Sequence, residues 1–434
     1  MNTAVSPHPY LAHLLGARAG LPAAPQPWLT ALRGSAVDRV SALTVPTTRD
    51  EAWRFTDLAP LTRLSFQPAQ AGAAPAPDIV ASHHLPEAQV RLVFVDGRFA
   101  PALSALAAPA GVQAGSLAQA CAEQGTAVEP YLARLAAFDD HVFAALNTAF
   151  LNDGAFVSIG RGVAVEAPVH VLFLTTQQDV AVYPRCLIVA GEGSAVTVVE
   201  DYIGLVDGAY FNNAVTEVAV AANARVRHVR VQRESAAAFH VAANLARLER
   251  DAVYQSVSVA LGARLSRLDF GVNHAGENAE CAVDGLALIG GRQLADTHTT
   301  VVHAVPRCRT RQLHKTIVGG AAHAVFNGKI VVRPGAQLTD SAQQSRNLLL
   351  SERARVDTKP ELEIFADDVK CAHGATVGQL DPEELFYLMS RGLDDRAARN
   401  LLTYAFGAEI VDRIPVRSLV ARLEQTVMHQ TQQD

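Results

Sequence analysis

Val253-Tyr254-Gln255-Ser256-Val257-Ser258-Val259-Ala260-Leu261 decides how the middle of the chain is read. Val257, Val259 and Leu261 share one parity, and Ser256 and Ser258 the other. Side chains of a strand alternate between two faces, whereas apolar positions of a helix recur every three or four residues. Val229 and Val231 alternate with Arg230 and Gln232 in the same way. From about residue 154, short apolar segments recur at 169–175, 187–190, 196–202, 215–220, 226–231, 253–261, 282–289, 301–305, 324–332 and 348–350. Turn residues lie between them, as in Gly191-Glu192-Gly193, Asp207-Gly208, Gly290-Gly291, Gly319-Gly320 and Pro334-Gly335. No helix-length pattern separates the strands, which argues against βαβ units. A sandwich is possible. Many strands at short intervals, with small residues facing both ways, favour a right-handed parallel β-helix, in which each coil stacks on the next. No strict hexapeptide repeat marks the coils. The expected fold is mainly β, with a β-helix core over 154–378 and α-helical regions on either side.

The N-terminal flank, 1–153, reads as mostly helical. Trp28, Leu29, Leu32, Val37, Val40 and Leu43 carry helical spacings, broken by Pro22, Pro25, Pro27 and Pro46. In Trp53-Arg54-Phe55-Thr56-Asp57-Leu58 the two aromatics are expected to pack, with the charges outside. Residues 68–77 form an Ala/Pro/Gly linker. Val90 to Phe99 read as a hairpin around Asp96-Gly97. Residues 115–150 are again helical, with Leu132, Leu135, Phe143, Leu146 and Phe150 as a core stripe. In the C-terminal region, 379–434, Asp381 is an N-cap, Pro382 suits the first helical position, Glu384 stands at capping-box spacing, and Gly392 closes the helix. Two further helices start near Asp394 and Pro415. Their apolar faces either pack on the end of the β-domain or dock another protein.

With 49% hydrophobic and 18% charged residues, the 434-residue chain has the material for a sizeable core. The net charge of −6, the lack of a basic tract and only 6% aromatics argue against nucleic acid. Cys121, Cys186, Cys281, Cys308 and Cys371 are scattered, odd in number and without a C-x-x-C pair, so a reducing compartment fits best. No basic stretch followed by an apolar core opens the chain, and no run approaches about 18 apolar residues. A cytoplasmic protein that does not enter membranes is expected.

Chemistry concentrates in Asp367-Asp368-Val369-Lys370-Cys371-Ala372-His373-Gly374-Ala375-Thr376-Val377-Gly378. In an extended segment Cys371 and His373 leave from one face, and thiol plus imidazole suits a soft metal or a sulfur species. Gly374 and Gly378 would let the backbone turn or approach a neighbour. His298, His303, His314 and His323 are expected to be satisfied polar groups or surface residues. Cys186, Cys281 and Cys308 are expected to be buried and inert. No G-x-x-x-x-G-K-[ST] occurs, so the chain should not hydrolyse ATP by itself. A β-helix polysaccharide lyase or hydrolase would need paired acids, which are dispersed here.

Residues 357–378 closely resemble the C-terminal signature of the SufB/SufD family, the scaffold components of the SUF iron–sulfur cluster assembly system. So do Phe326-Asn327-Gly328-Lys329-Ile330 and Leu385-Phe386-Tyr387-Leu388-Met389-Ser390-Arg391-Gly392. Residues 53–58 are similar to the SufD branch. The resemblance implies a β-helix core, a SufB-like partner and a SufC-like ABC ATPase docked on the C-terminal helices, where Leu385, Phe386, Leu401 and Phe406 would be the contacts. It implies a role in cluster assembly for His373 at the subunit interface, with Cys371 at the matching Cys position. Because the chain lacks a four-cysteine set, any iron–sulfur cluster should be transient and shared with the partner. Other readings are a SufB-like paralogue and a purely structural interaction protein. A homodimer in isolation is plausible, since a solenoid leaves strand edges at its ends.

Overall fold

The computed structural model describes residues 8–430 apart from 71 and 73. The expectation drawn from the first residues of the chain therefore falls largely outside it. From residue 155 to 378 the chain lays strands alternately into two sheets. One contains Ala155–Ile159, Arg185–Ala190, Phe211–Val220, Phe239–Leu248, Leu265–His274, Leu294–His303, His323–Val332 and Arg355–Ile364. The other contains Val169–Thr175, Ala195–Gly204, Arg225–Arg233, Val253–Ala260, Glu280–Ile289, Arg309–Val318, Asp340–Leu349 and Lys370–Gly378. Neighbours within each set pair in parallel, so that Ala195 stands opposite Arg225, Arg225 opposite Val253, and Val253 opposite Glu280. This is a parallel β-helix of about eight turns with helices at both ends of the chain.

The corners explain the missing hexapeptide repeat. Successive coils turn on one residue with left-handed backbone: Gly193, Asn223, Asp251, Asn278, Arg307 and Leu338, with φ between 57° and 67°. Gly, Asn and Asp tolerate that conformation best, so the repeat is carried by backbone geometry about one coil apart rather than by a motif within each strand. Five strands are not among the apolar segments read from the sequence: Ala155–Ile159, Phe239–Leu248, Leu265–His274, Arg309–Val318 and Arg355–Ile364. Arg309–Val318 sends Thr310, Gln312, His314 and Thr316 to buried positions, where polar side chains meet one another inside the solenoid.

Each flank covers one outer face. Trp53, Phe66, Phe143 and Leu146 pack on Phe211, Phe239 and Leu265 of the first sheet. Ile410, Leu419 and Leu423 of helices Asp395–Val411 and Arg417–Gln430 pack on Val229, Val257, Leu286 and Ile317 of the second. The C-terminal helices thus lie along a face, not at the end of the β-domain, because apolar residues recur in line on that face, coil after coil. Trp53 is buried as expected, but Phe55 is exposed beside Arg54. The reason lies beneath Trp53. The Arg267 guanidinium sits 4.3 Å from its ring centroid, pairs with buried Asp296 and with Asp269, and donates to Ala52 O. Thr56 Oγ1 donates to the same Asp296.

The N-terminal flank also closes one end of the solenoid. Asp96 and Gly97 both have positive φ, as a two-residue hairpin requires. The hairpin strand Val90–Val95 continues the second sheet by pairing in parallel with Val169–Thr175. Val112–Ser116 continues the first sheet by pairing antiparallel with Ala155–Ile159. Where the expected linker begins, Gln67 and Pro68 pair with Val180 and Ala181. No helix is long and apolar enough to cross a membrane.

Arg267→Ala leaves Asp296 buried beside an empty site. Unfolding in urea should show a loss of about 3 kcal/mol or more. A second expectation concerns acid. Burial raises the Glu200 pKa, but His228 Nε2 at 3.0 Å and the Tyr202 hydroxyl at 2.7 Å outweigh it and hold the carboxyl at about 2. A folded pKa below the unfolded one contributes stability that is fully present above about pH 4.3 and is lost as pH falls towards 2. Thermal melts of Glu200→Gln should therefore flatten in that window relative to the parent chain.

Candidate functional site

The last coil is built differently from the first. Lys370–Gly378 pairs only with Asp340–Leu349, and Arg355–Ile364 only with His323–Val332. Their other edges carry no strand among the described residues. Edge strands invite pairing with another chain unless charge, proline or bulges deter it. The Arg355–Ile364 strand is guarded. Pro360 lies in it, and Lys359 pairs with Glu51 and Glu361 while Glu363 pairs with Lys329. The other strand has no charged residue from Cys371 to Gly378. Exposed Ile364, Phe365 and Val377 add apolar surface at this rim.

Cys371 and His373 share the inward face of that strand, as the parity predicted. Cys371 stands opposite Ser341, and His373 opposite Gln343, both of which are buried. The Cys371 side chain is half-buried against Ile330, Val332, Ala336 and Ala366. Burial and the neighbouring Asp340 charge push its thiol pKa up, so it is protonated at neutral pH and is not a primed nucleophile. His373 is exposed, two residues further along, at the mouth of the solenoid. The four other cysteines are buried, and burial raises the pKa of each.

Behind His373 the interior is polar and unfinished. Its column runs back through Gln343 and Gln312 to Val283. Both polar atoms of the Gln343 amide are buried without a partner, as are Gln312 Nε2 and His314 Nε2. The Phe326-Asn327-Gly328-Lys329-Ile330 segment makes this space. A Cβ on Gly328 would overlap the Gln343 amide and come within 2.9 Å of the Phe326 ring, which stacks on His314. The requirement for glycine here is one of close approach, not of backbone angle. Gly374 and Gly378 differ from expectation. Neither has positive φ, and a Cβ at either would meet nothing within 4 Å of this chain. The strand at Gly374 is therefore open to close approach from outside.

The other singled-out residues separate. His298 pairs with Asp296 and His323 with Asp357, as satisfied polar groups. His303 and His314 are buried, each with one ring nitrogen unmatched. Asp368 is held in its turn through its backbone, with N–H to Gln337 Oε1 and carbonyl to Leu338 N–H. On the C-terminal helices, Asp381 caps by accepting from Glu383 N–H. Leu385 is buried, and Phe406 packs on the second sheet with Lys315 Nζ 4.4 Å from its ring. These two side chains stabilise the fold itself. Phe386 at 71% exposure and Leu401 at 45% remain available, together with Met389 and with Tyr387, which helical periodicity alone did not single out.

Two family models match the chain. The SUF system FeS cluster assembly SufBD core domain covers residues 173–406, and the SufBD protein N-terminal region covers 7–171. An iron–sulfur cluster assembly SufBD family protein of Synechocystis is 41% identical over 92% of this chain and 90% of its own length. The iron–sulfur cluster assembly protein SufD of Escherichia coli is 35% identical over 85% of both chains. SufD of Bacillus subtilis is 30% identical over 91% of this chain and 92% of its own. A β-helix with one closed and one open end, and matches of this extent on both flanks, lead to one assignment: the chain is a SufD-like member of the SufBD family of SUF-system iron–sulfur cluster assembly proteins.

Proposed function

We propose that the chain is the SufD-like half of a two-scaffold complex, with a SufB-like partner seated on its open end and a SufC-like ABC ATPase on its C-terminal helices. The observation that carries this reading is the placement of His373, exposed on an unguarded strand edge in a solenoid whose other end is closed. A neutral imidazole binds iron well, but one nitrogen and one half-buried thiol are too few for a cluster, so the partner supplies the remaining ligands. The cluster is cargo, assembled from iron and persulfide sulfur and passed on, not a resident group. Gly374 leaves room for a second strand beside His373. In isolation the same edge accepts a second copy of this chain. The cluster work is scaffolding rather than catalysis by this chain, and ATP-driven motion comes from the ATPase, since the sequence holds no P-loop.

His373→Ala removes an exposed side chain and should change stability by less than about 0.5 kcal/mol. Anaerobic reconstitution of the complex with iron and sulfide should then yield no cluster absorption, while size-exclusion chromatography still shows the complex. Normal cluster formation in this variant would refute the role of His373. For ATPase docking, removal of residues 381–434 would strip the cover from the second sheet, so point changes are the cleaner test. Phe386→Glu with Leu401→Glu should leave melting unchanged and weaken ATPase binding roughly tenfold or more by calorimetry. Unchanged binding would move the docking site elsewhere.

A further inference from the structure

One set of metal-ligating side chains lies inside the solenoid, away from the rim. A nitrogen of His274, a nitrogen of His303 and Cys308 Sγ lie within 4.8 Å of one another, and all three residues are buried. They come together where stacked columns change character. One inward column reads Val220, Leu248, His274, His303, Val332. A second reads Val226, Tyr254, Cys281, Thr310, Ser341. The corner residue before the second column is Ala224, Ala252 and Ala279 in successive coils, then Cys308. The apolar residues of the earlier coils belong to the main core cluster. Replacing a buried leucine position by imidazoles is unfavourable unless the ring nitrogens are matched.

The nitrogens are matched on one side only. His274 Nε2 lies 3.1 Å and His303 Nε2 3.0 Å from the same Thr310 hydroxyl oxygen, and Cys281 Sγ lies 3.4 Å from it. The two rings stack with centroids 4.5 Å apart. Nδ1 of each is buried without a partner. A hydroxyl has one proton, so it donates to one ring and accepts from the other, which leaves one Nδ1 lone pair and one Nδ1–H orphaned. An ion held by both Nδ1 atoms removes both orphans. Each Nε2–H then donates to Thr310 Oγ1, and the hydroxyl proton turns to Cys281 Sγ. A ligating histidine whose other nitrogen is held by an oxygen is the usual arrangement in metal sites.

We infer that His274, His303 and Cys308 form a buried site for one borderline divalent cation, Zn²⁺ or Fe²⁺, oriented by Thr310. Two imidazoles and one thiolate suit these ions. Bonds of about 2.0–2.3 Å draw the three atoms to roughly 3.3–3.7 Å from one another. The Cys308 thiol releases its proton to solvent as the sulfur–metal bond forms. The site uses neither Cys371 nor His373, and it sits at a corner beside exposed Arg307.

The test uses the full-length chain carrying Cys371→Ala and His373→Ala, stripped of metal by chelator, kept reduced, and titrated anaerobically with Co²⁺ both as folded protein and during refolding. The expected result is one Co²⁺ per chain, a near-ultraviolet sulfur-to-cobalt charge-transfer band, tetrahedral d–d absorption, and displacement by Zn²⁺; an Fe²⁺ arm ranks the two ions. Cys308→Ala and His303→Val borrow the residues of the neighbouring coils. Each should keep the fold, lose the charge-transfer band or bind roughly tenfold or more weakly, and lose the ion-induced rise in melting temperature. No stoichiometric uptake in either titration, or a band that survives both substitutions, would overturn the inference and identify a plain hydrogen-bonded histidine pair.

Discussion

Parallel pairing from one coil to the next is the constraint on which this molecule rests. Every coil supplies backbone partners to two neighbours, so free strand edges arise only at the ends. One end is closed by the chain itself, with Val90–Val95 and Val112–Ser116 extending the two sheets. The other end is left with two strands that each have one neighbour. Of these, the strand bearing Pro360 and paired lysines is protected against a second chain. The strand bearing Cys371, His373 and Gly374 is not. The fold thus leaves one unguarded strand edge at its open end, and that edge also presents an imidazole.

The flanks follow from the same geometry. A column of residues one coil apart lies in line across a sheet, so an outer face that is apolar in one coil and the next becomes a stripe long enough for a helix. Val229 with Val257, Val259 with Leu286, and Leu288 with Ile317 lie in three adjoining columns, and together they receive Ile410, Leu419 and Leu423. Helix Pro382–Ser390 stands apart from this arrangement. It buries Leu385 and leaves Phe386, Tyr387 and Met389 exposed, which is more apolar surface than a short amphipathic helix needs for its own packing.

Much of this was legible in the sequence, and the gaps have physical causes. Val253–Ala260 was readable because Val and Ser alternate there, so period two survives, and Val169–Thr175 because it is a short, nearly unbroken apolar run. The C-terminal helices were readable because Asp381, Asp394 and Gly392 punctuate them as local chemistry demands. Arg309–Val318 was not, because its inward positions hold Thr, Gln and His, which have partners only once the coils are stacked. The coil period was hidden for a related reason: it resides in left-handed corners at Asn223, Asp251 and Asn278, and then at Arg307 and Leu338, where residue type no longer announces the angle. At the rim, parity placed Cys371 and His373 on one face correctly. It could not show that one would sit half-buried and the other free, since that depends on where the stack stops.

The two ligand sets proposed for this chain differ in the way their proposed roles require. At the rim, the exposed His373 imidazole and the half-buried Cys371 thiol would form an incomplete set, open to solvent and to the proposed partner. Ligands shared across an interface hold an ion only while the subunits are in register, so motion of either subunit loads or releases it. That suits cargo. Inside, two imidazoles and a thiol from successive coils are fixed relative to one another by ladder hydrogen bonds on both sides. Their spacing changes only if the stack itself loosens, so an ion there contributes to coil stacking and exchanges slowly. A solenoid separates these two behaviours without further machinery: a column position in the middle is rigid, and the same kind of position on the last coil is not.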